Sequence, residues 1–252
     1  MNISKTMSLP GWLSLNEGRL LYDLVKTTPR NGEVVEIGSF QGKSTIFIAS
    51  ALKNLNRPAM FSIDPHVGQT HVGKKEFSPT FVSFQRNIKN AGISKYVTAI
   101  RKTSAAAAKT WKKPIAFLNV DGLHEYKFIK EDLTLWSPFI VDGGVVVCHD
   151  AFSPFPDVFC AIKEEIFSTG DYRYVGVNDS QFFAVKGRPR NIFEELNFER
   201  SKFFLILASR IWSNNALPKS LRFIIVNRIL KIFFMNKFLW RNMTHNFVKK
   251  VY

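Results

Sequence analysis

Glu36-Ile37-Gly38-Ser39-Phe40-Gln41-Gly42 is the stretch whose reading decides the fold. An apolar run ending at Ile37 reads as a strand, and Lys43 to Lys53 reads as a helix. An acid at a strand end, a Gly-x-x-x-Gly turn and then a helix is how open α/β sheets build a nucleoside-binding crevice. Glycine lets backbone approach a ligand that a Cβ would push away, and the helix N-terminus offers unpaired N–H groups. Two phosphate motifs compete for the same residues. Gly42-Lys43-Ser44-Thr45 matches the end of a P-loop, but that loop needs four residues between its first glycine and the Gly-Lys pair, and only Ser39, Phe40 and Gln41 stand here. A dinucleotide fingerprint would need glycine where Phe40 stands. A plain strand-to-helix turn remains open on the motif alone.

Strand and helix go on alternating beyond the turn. Leu15 to Val25 reads as a helix before it. Strands are expected at Ala59 to Ile63, Tyr96 to Ile100, Ile115 to Val120 and Val145 to Cys148. Helices are expected at Thr80 to Asn90, Ser104 to Trp111, Tyr126 to Trp136 and Val158 to Phe167. Arg173 to Val177 and Gln181 to Val185 read as a hairpin about Asn178-Asp179-Ser180. Five such alternations and a closing hairpin predict a doubly wound, mostly parallel, seven-stranded α/β sheet. Ligands bind beyond the carboxyl ends of such strands. Those ends carry Glu36, Asp64, Asp121 and Asp150, with Thr103 and Ser104 after the third strand. Four acids on one rim suggest a bound ligand or cation there.

Composition bounds the setting. The chain has 252 residues, 46% of them apolar, enough for one α/β domain and an appendage. Cys148 and Cys160 make no disulfide framework, so a reducing, cytoplasmic setting is expected. The first residues lack a basic start followed by an apolar stretch, and no run of 18 apolar residues occurs, so neither a secretory leader nor a membrane span is expected. Charge is uneven. Residues 188–252 hold 13 Lys/Arg against three acids, and no acid follows Ser201. Arg188-Pro189-Arg190 therefore marks the expected boundary between a domain at 1–187 and a basic, apolar helical extension at 188–252. Within the extension, cations from Arg222 to Arg241 scatter around the expected helix of Leu221 to Trp240 and do not form one stripe. Residues 201–252 fit an anionic membrane surface at the inner face of the membrane, or packing on the domain or on a second copy of the chain. A nucleic-acid arm is disfavoured because the segment is so apolar.

The chain resembles S-adenosylmethionine-dependent class I methyltransferases of the macrocin and mycinamicin sugar O-methyltransferase type. Carrying the likeness are Val35-Glu36-Ile37-Gly38-Ser39 with Gly42-Lys43-Ser44-Thr45, Ile63-Asp64-Pro65, Asp121-Gly122-Leu123-His124-Glu125-Tyr126, Asp132-Leu133, Trp136, Gly143-Gly144 and His149-Asp150, within about 12–186. The resemblance implies a Rossmann-like fold and S-adenosylmethionine as cofactor. It places Glu36 at the methionine ammonium, directly or through water. Gly38, Ser39, Gly42 and Ser44 fall along the cofactor turn, Asp64 at the ribose hydroxyls, and Thr103 and Ser104 beside the adenine. His124 becomes the general base, since imidazole suits proton abstraction near neutrality, with Asp121 beside it. Asp121, His149 and Asp150 become ligands for Mg²⁺ or another divalent cation. Relatives carry two adjacent acids where this chain has His149-Asp150, and a histidine suits a transition ion better than Mg²⁺. Without a metal, that pair orients His124 or caps the following helix. The implied acceptor is a hydroxyl on a sugar, polysaccharide or natural-product precursor. A loop at 66–79 carrying His66, His71, Lys74 and Lys75 is expected to close as a lid or to lie solvated. The readings from other classes are a binding protein that kept the fold without turnover, and a nucleotide hydrolase built on Gly42-Lys43-Ser44-Thr45.

Overall fold

The computed structural model describes residues 2–68, 79–152, 156–213 and 216–234. His71, Lys74 and Lys75 of the expected lid lie outside the described residues, as does the extension past Phe234. In chain order the elements are α1 (Ile3–Met7), α2 (Leu15–Thr27), β1 (Glu33–Ile37), α3 (Lys43–Asn54), β2 (Met60–Ile63), α4 (Phe81–Asn90), β3 (Val97–Ile100) and α5 (Ser104–Ala108). They continue as β4 (Ile115–Val120), α6 (Tyr126–Trp136), β5 (Ile140–Cys148), α7 (Pro156–Ile162), β6 (Tyr172–Asn178), β7 (Gln181–Lys186), α8 (Ile192–Trp212) and α9 (Lys219–Phe234).

The strands form one seven-stranded sheet in the order β3-β2-β1-β4-β5-β7-β6. The first five run parallel, and β7 enters antiparallel between β5 and β6. Chain direction across the sheet reverses between β1 and β4, so the crevice of such a fold opens there. All six β4 residues are buried, as expected of a strand covered on both faces. On one face Leu21, Phe47 and Phe84 pack from α2, α3 and α4. On the other, Trp136 and Phe159 from α6 and α7 form a second core with Phe198, Leu205 and Ala208 of α8 and Val226 of α9. The extension thus shares the core of the sheet domain.

Two elements differ from expectation. Strand β5 begins at Ile140, five residues early, and runs through Gly143-Gly144. Gly143 sits at φ +77°, and the ladder to β4 shifts register over this stretch. A glycine bulge therefore lies inside the strand, ahead of the residues read as strand from the sequence. Helix α5 stops at Ala108. No described helix is long and apolar enough to cross a membrane.

Candidate active site

The turn after β1 is built around a backbone contact. Gly38 has φ +81°, and a Cβ there would lie 2.1 Å from the carbonyl oxygen of Asp121. This glycine is required because β1 and β4 end against one another, whatever else it offers a ligand. Gly42, at φ +90°, caps the N-terminus of α3 without a side chain. Asp64 at the end of β2 clamps the turn: Oδ2 accepts from the N–H groups of Ser39 (2.9 Å) and Phe40 (2.8 Å), and Oδ1 from that of His66 (2.6 Å). A carboxylate offers about four lone-pair sites, so Asp64 retains little capacity for ribose hydroxyls beyond this clamp. His66 is buried with its Nδ1 2.8 Å from Thr80 Oγ1, between the rings of Phe81 and Phe84. Burial holds its pKa below the usual imidazole value.

Glu36 lies sealed beneath the turn. Thr45 donates to its Oε2 at 2.5 Å and Ser62 at 3.4 Å, while Oε1 has no hydrogen-bond partner among the described residues. Burial pushes its carboxyl up to about 7 against the pull of Thr45 and Ser44. Ser44 is therefore placed toward Glu36 in the protein interior. Lys43 is also buried and donates to the Gly11 carbonyl at 3.0 Å. In a P-loop the lysine reaches phosphate and the hydroxyl reaches Mg²⁺; here both side chains are spent inside the fold. Thr103 caps α5 through Ala106 N–H. Ser104, expected beside an adenine, donates to Asp132 on α6. Asp132 is buried, and burial raises its carboxyl to about 7.

A cluster forms at the ends of β4 and β5. His149 Nδ1 lies 3.3 Å from Asp121 Oδ1 and 3.4 Å from Asp150 Oδ2. His124 stands beside them, with Nε2 3.6 Å from Asp121 Oδ1 and Nδ1 3.5 Å from Asp150 Oδ2. A third carboxylate comes from α2: Glu17 Oε2 is 3.4 Å from His149 Nε2. Glu17 is buried, and its Oε1 accepts from both N–H and hydroxyl of Ser180. Asp121, His124 and His149 can direct one ligand atom each into a common space, all within 4.8 Å. Burial alone would raise Asp121, but the charge of His149 and bonding to His124 and His149 hold it at about 2. Burial would lower His149, yet Asp121, with Asp150 and Glu17, drives it well above the usual imidazole value. Burial is likewise outweighed at Glu17, where His149 and Ser180 bring the carboxyl below its usual range.

These residues fit a divalent cation. His149 Nδ1 is buried and makes no hydrogen bond among the described residues, although two carboxylate oxygens flank it. Metal–ligand bonds of about 2.1 Å put neighbouring ligand atoms about 3.0–3.4 Å apart, and His149 Nδ1 keeps that distance from one oxygen of Asp121 and one of Asp150.

The structure thus brings Glu36, Gly38, Ser39, Gly42, Asp64, Asp121, His124, His149 and Asp150 to one rim. Thr103 and Ser104 follow the neighbouring β3. Sequence reasoning missed Glu17 and gave Asp132 no role.

A family model described as a methyltransferase domain matches residues 35–151. The solved structure of the O-methyltransferase NovP is similar in fold, with TM-score 0.59 and 18% identity over 69% of this chain and 81% of its own. TomG from Streptomyces achromogenes, an O-methyltransferase involved in tomaymycin synthesis and solved in complex with SAM, gives TM-score 0.53 and 19% identity over 73% and 89%. An O-methyltransferase from Bacillus cereus, solved in complex with SAH, gives 0.52 and 15% over 73% and 90%. The family match thus covers residues 35–151, and the 3-2-1-4-5-7-6 sheet has the fold of these O-methyltransferase structures.

Proposed function

We propose that this chain is an O-methyltransferase that moves the methyl group of S-adenosylmethionine onto a hydroxyl of a sugar, polysaccharide or natural-product precursor. One observation carries the reading: residues 35–151 match a methyltransferase-domain model, and the ends of β1, β2 and β4 bring Glu36, Asp64 and Asp121 around one glycine turn beside the switch point of the sheet. Gly38, Ser39 and Gly42 line the cofactor's path, and Ser44 supports it from behind through Glu36. Glu36 supplies negative charge toward the methionine ammonium. Asp64 holds the turn in shape and takes a ribose hydroxyl with its remaining lone pair. Thr103 and Ser104 border the adenine.

The transfer is a direct displacement. The acceptor oxygen attacks the methyl carbon, the carbon–sulfur bond breaks, and sulfur leaves with the electron pair as a neutral thioether. His124 takes the hydroxyl proton as oxygen attacks, and Asp121 and Asp150 on either side favour the resulting imidazolium. The rest of the acceleration is positioning. Asp121, His149 and Asp150 would hold a divalent ion, which lowers the pKa of an acceptor hydroxyl. Calorimetry with S-adenosylmethionine tests the reading. Wild type is expected to bind it, and Glu36→Ala and Asp64→Ala to weaken binding strongly. Absence of affinity for both cofactor and demethylated product would refute it.

Residues 1–187 are proposed as the catalytic unit and 188–252 as an extension docked on it. The extension is proposed to touch an anionic membrane surface from the cytoplasmic side. The outer face of α8 exposes Phe193 and Phe203, and Ile192 and Leu196 are exposed beside Phe193; the strong basic excess of 188–252 supplies attraction. Flotation with vesicles containing anionic lipid is expected to carry full-length protein and to lose the Phe193→Glu/Phe203→Glu double variant. Equal flotation, or a concentration-dependent dimer dispersed by the same variant, would favour a second copy of the chain as the occupant of this face.

A further inference from the structure

Metal sites built on carboxylates alone suit hard ions such as Mg²⁺. This rim has an imidazole at the point where its carboxylates meet. His149 reaches both Asp121 Oδ1 (3.3 Å) and Asp150 Oδ2 (3.4 Å) with one nitrogen, Nδ1. His124 faces the same two oxygens with different nitrogens, so no single lone pair of His124 converges on both, and it stays in place as the base. Charge-assisted hydrogen bonds are shorter, about 2.7–2.9 Å, and His149 Nδ1 makes none among the described residues. Between two carboxylate oxygens this nitrogen carries either a proton or a metal ion, and an ion that displaces the proton meets the lone pair between both oxygens. The opposite ring nitrogen explains why the lone pair is on Nδ1. His149 Nε2 lies 3.4 Å from Glu17 Oε2 in a buried pocket. A carboxylate there takes Nε2–H, fixing the tautomer and turning Nδ1 outward, as outer carboxylates do for metal-bound histidines. Glu17 is itself locked, because Ser14 N–H donates to its Oε2 at 2.8 Å and Ser180 donates twice to its Oε1.

We propose that Asp121, His149 and Asp150 form a nitrogen-containing site for a first-row transition ion of the zinc and cobalt class in preference to Mg²⁺, with Glu17 as the positioning residue behind His149. This rests on the methyltransferase reading only for the ion's purpose; binding of the ion is measured without turnover. Affinity of imidazole-containing sites rises steeply from alkaline-earth ions toward cobalt and zinc.

The test uses tag-free, chelator-stripped, full-length protein titrated separately with Co²⁺ and Mg²⁺ by calorimetry, with Co²⁺ also followed by its visible ligand-field absorption. One Co²⁺ is expected to bind at least about a hundredfold more tightly than Mg²⁺. His149→Asp restores an all-oxygen set and is expected to lose the absorption band and reverse the preference. Glu17→Gln is expected to weaken Co²⁺ by about 10–100-fold and leave S-adenosylmethionine affinity within about twofold. Ser14→Ala removes the helix cap but keeps the Glu17–His149 contact, so it is expected to lower melting temperature without moving Co²⁺ affinity. Equal affinity for Mg²⁺ and Co²⁺ would overturn the inference, as would absence of either ion from protein that still binds S-adenosylmethionine. Co²⁺ binding without cofactor binding would leave the site standing and refute the methyltransferase reading instead.

Discussion

Glu36 and Asp121 end adjacent strands, yet they occupy opposite electrostatic settings. Glu36 is shut beneath the glycine turn among hydroxyl groups, and burial moves its carboxyl to about 7. Asp121 stands beside two histidines that hold it at about 2 in spite of burial. Each bears on the other, since the charge of Asp121 is one reason Glu36 resists ionising. Acids driven apart in this way take different tasks. Asp121 is a fixed anion that organises histidines or a metal. On the proposed function Glu36 becomes an anion when a cationic ligand arrives, so the same side-chain chemistry would serve as scaffold on one strand and as responder on its neighbour.

The largest effect is expected where the two settings are joined. A methyl group at Gly38 would have to displace the Asp121 carbonyl or the turn itself, at a backbone angle that side chains rarely adopt. Gly38→Ala is expected to cost about 3 kcal/mol or more in urea denaturation. A loss below about 1 kcal/mol would mean that β1 and β4 are not locked together at this point. Next comes His124→Ala, which should lower kcat by about 10²–10⁴-fold with cofactor affinity unchanged. A parallel loss of cofactor affinity would place His124 in binding rather than in proton transfer.

A pH series sharpens the contrast at Glu36. Below about 7 the free protein keeps this carboxyl largely protonated, and an ammonium favours the ionised form, so binding expels a proton. Cofactor affinity is therefore expected to rise with pH up to about 7, by at most about tenfold per unit, and then flatten. Glu36→Gln should bind more weakly with no slope. The same shift fixes the sign for stability. The unfolded chain releases this proton near 4.5 while the folded protein keeps it, so the contribution is full below about 4.5 and lost as pH climbs to about 7. Asp132 acts in the same direction from its usual 3.8. His66, whose pKa burial lowers from 6.5, acts the other way, so the check is Glu36→Gln: its midpoint should fall less across this window than that of wild type, and equal slopes would contradict the Glu36 shift.

Much of this architecture was legible from periodicity, because buried parallel strands are continuous apolar runs with acids at their ends. The site was legible where a residue ends a strand: Glu36, Asp64, Asp121 and Asp150 all reach the rim. The sequence is silent where partners come from other elements. Ser14-x-x-Glu17 is a capping box readable in sequence, but its second task, behind His149, depends on how α2 crosses the end of β5. Nothing local shows that α6 brings Asp132 to Ser104. Nor does the sequence show that Asp64 also grips Ser39 and Phe40, a contact that exists only once β1 and β2 are paired.

The smallest expected effect concerns Lys43, which in a phosphate-binding loop would be indispensable. Its ammonium is buried against the Gly11 carbonyl, and burial lowers its pKa. Lys43→Met keeps the aliphatic packing and removes one hydrogen bond to a charged donor, a loss of about 1–2 kcal/mol in stability. Cofactor affinity should stay within about threefold, and neither wild type nor variant should bind ATP. The turn then resists this substitution while failing at Gly38, five positions earlier, because Gly38 abuts the Asp121 backbone and the Lys43 ammonium is held by the Gly11 carbonyl of the N-terminal segment. An order-of-magnitude loss of S-adenosylmethionine binding in Lys43→Met would reverse that assignment and place the ammonium on the ligand side of the turn.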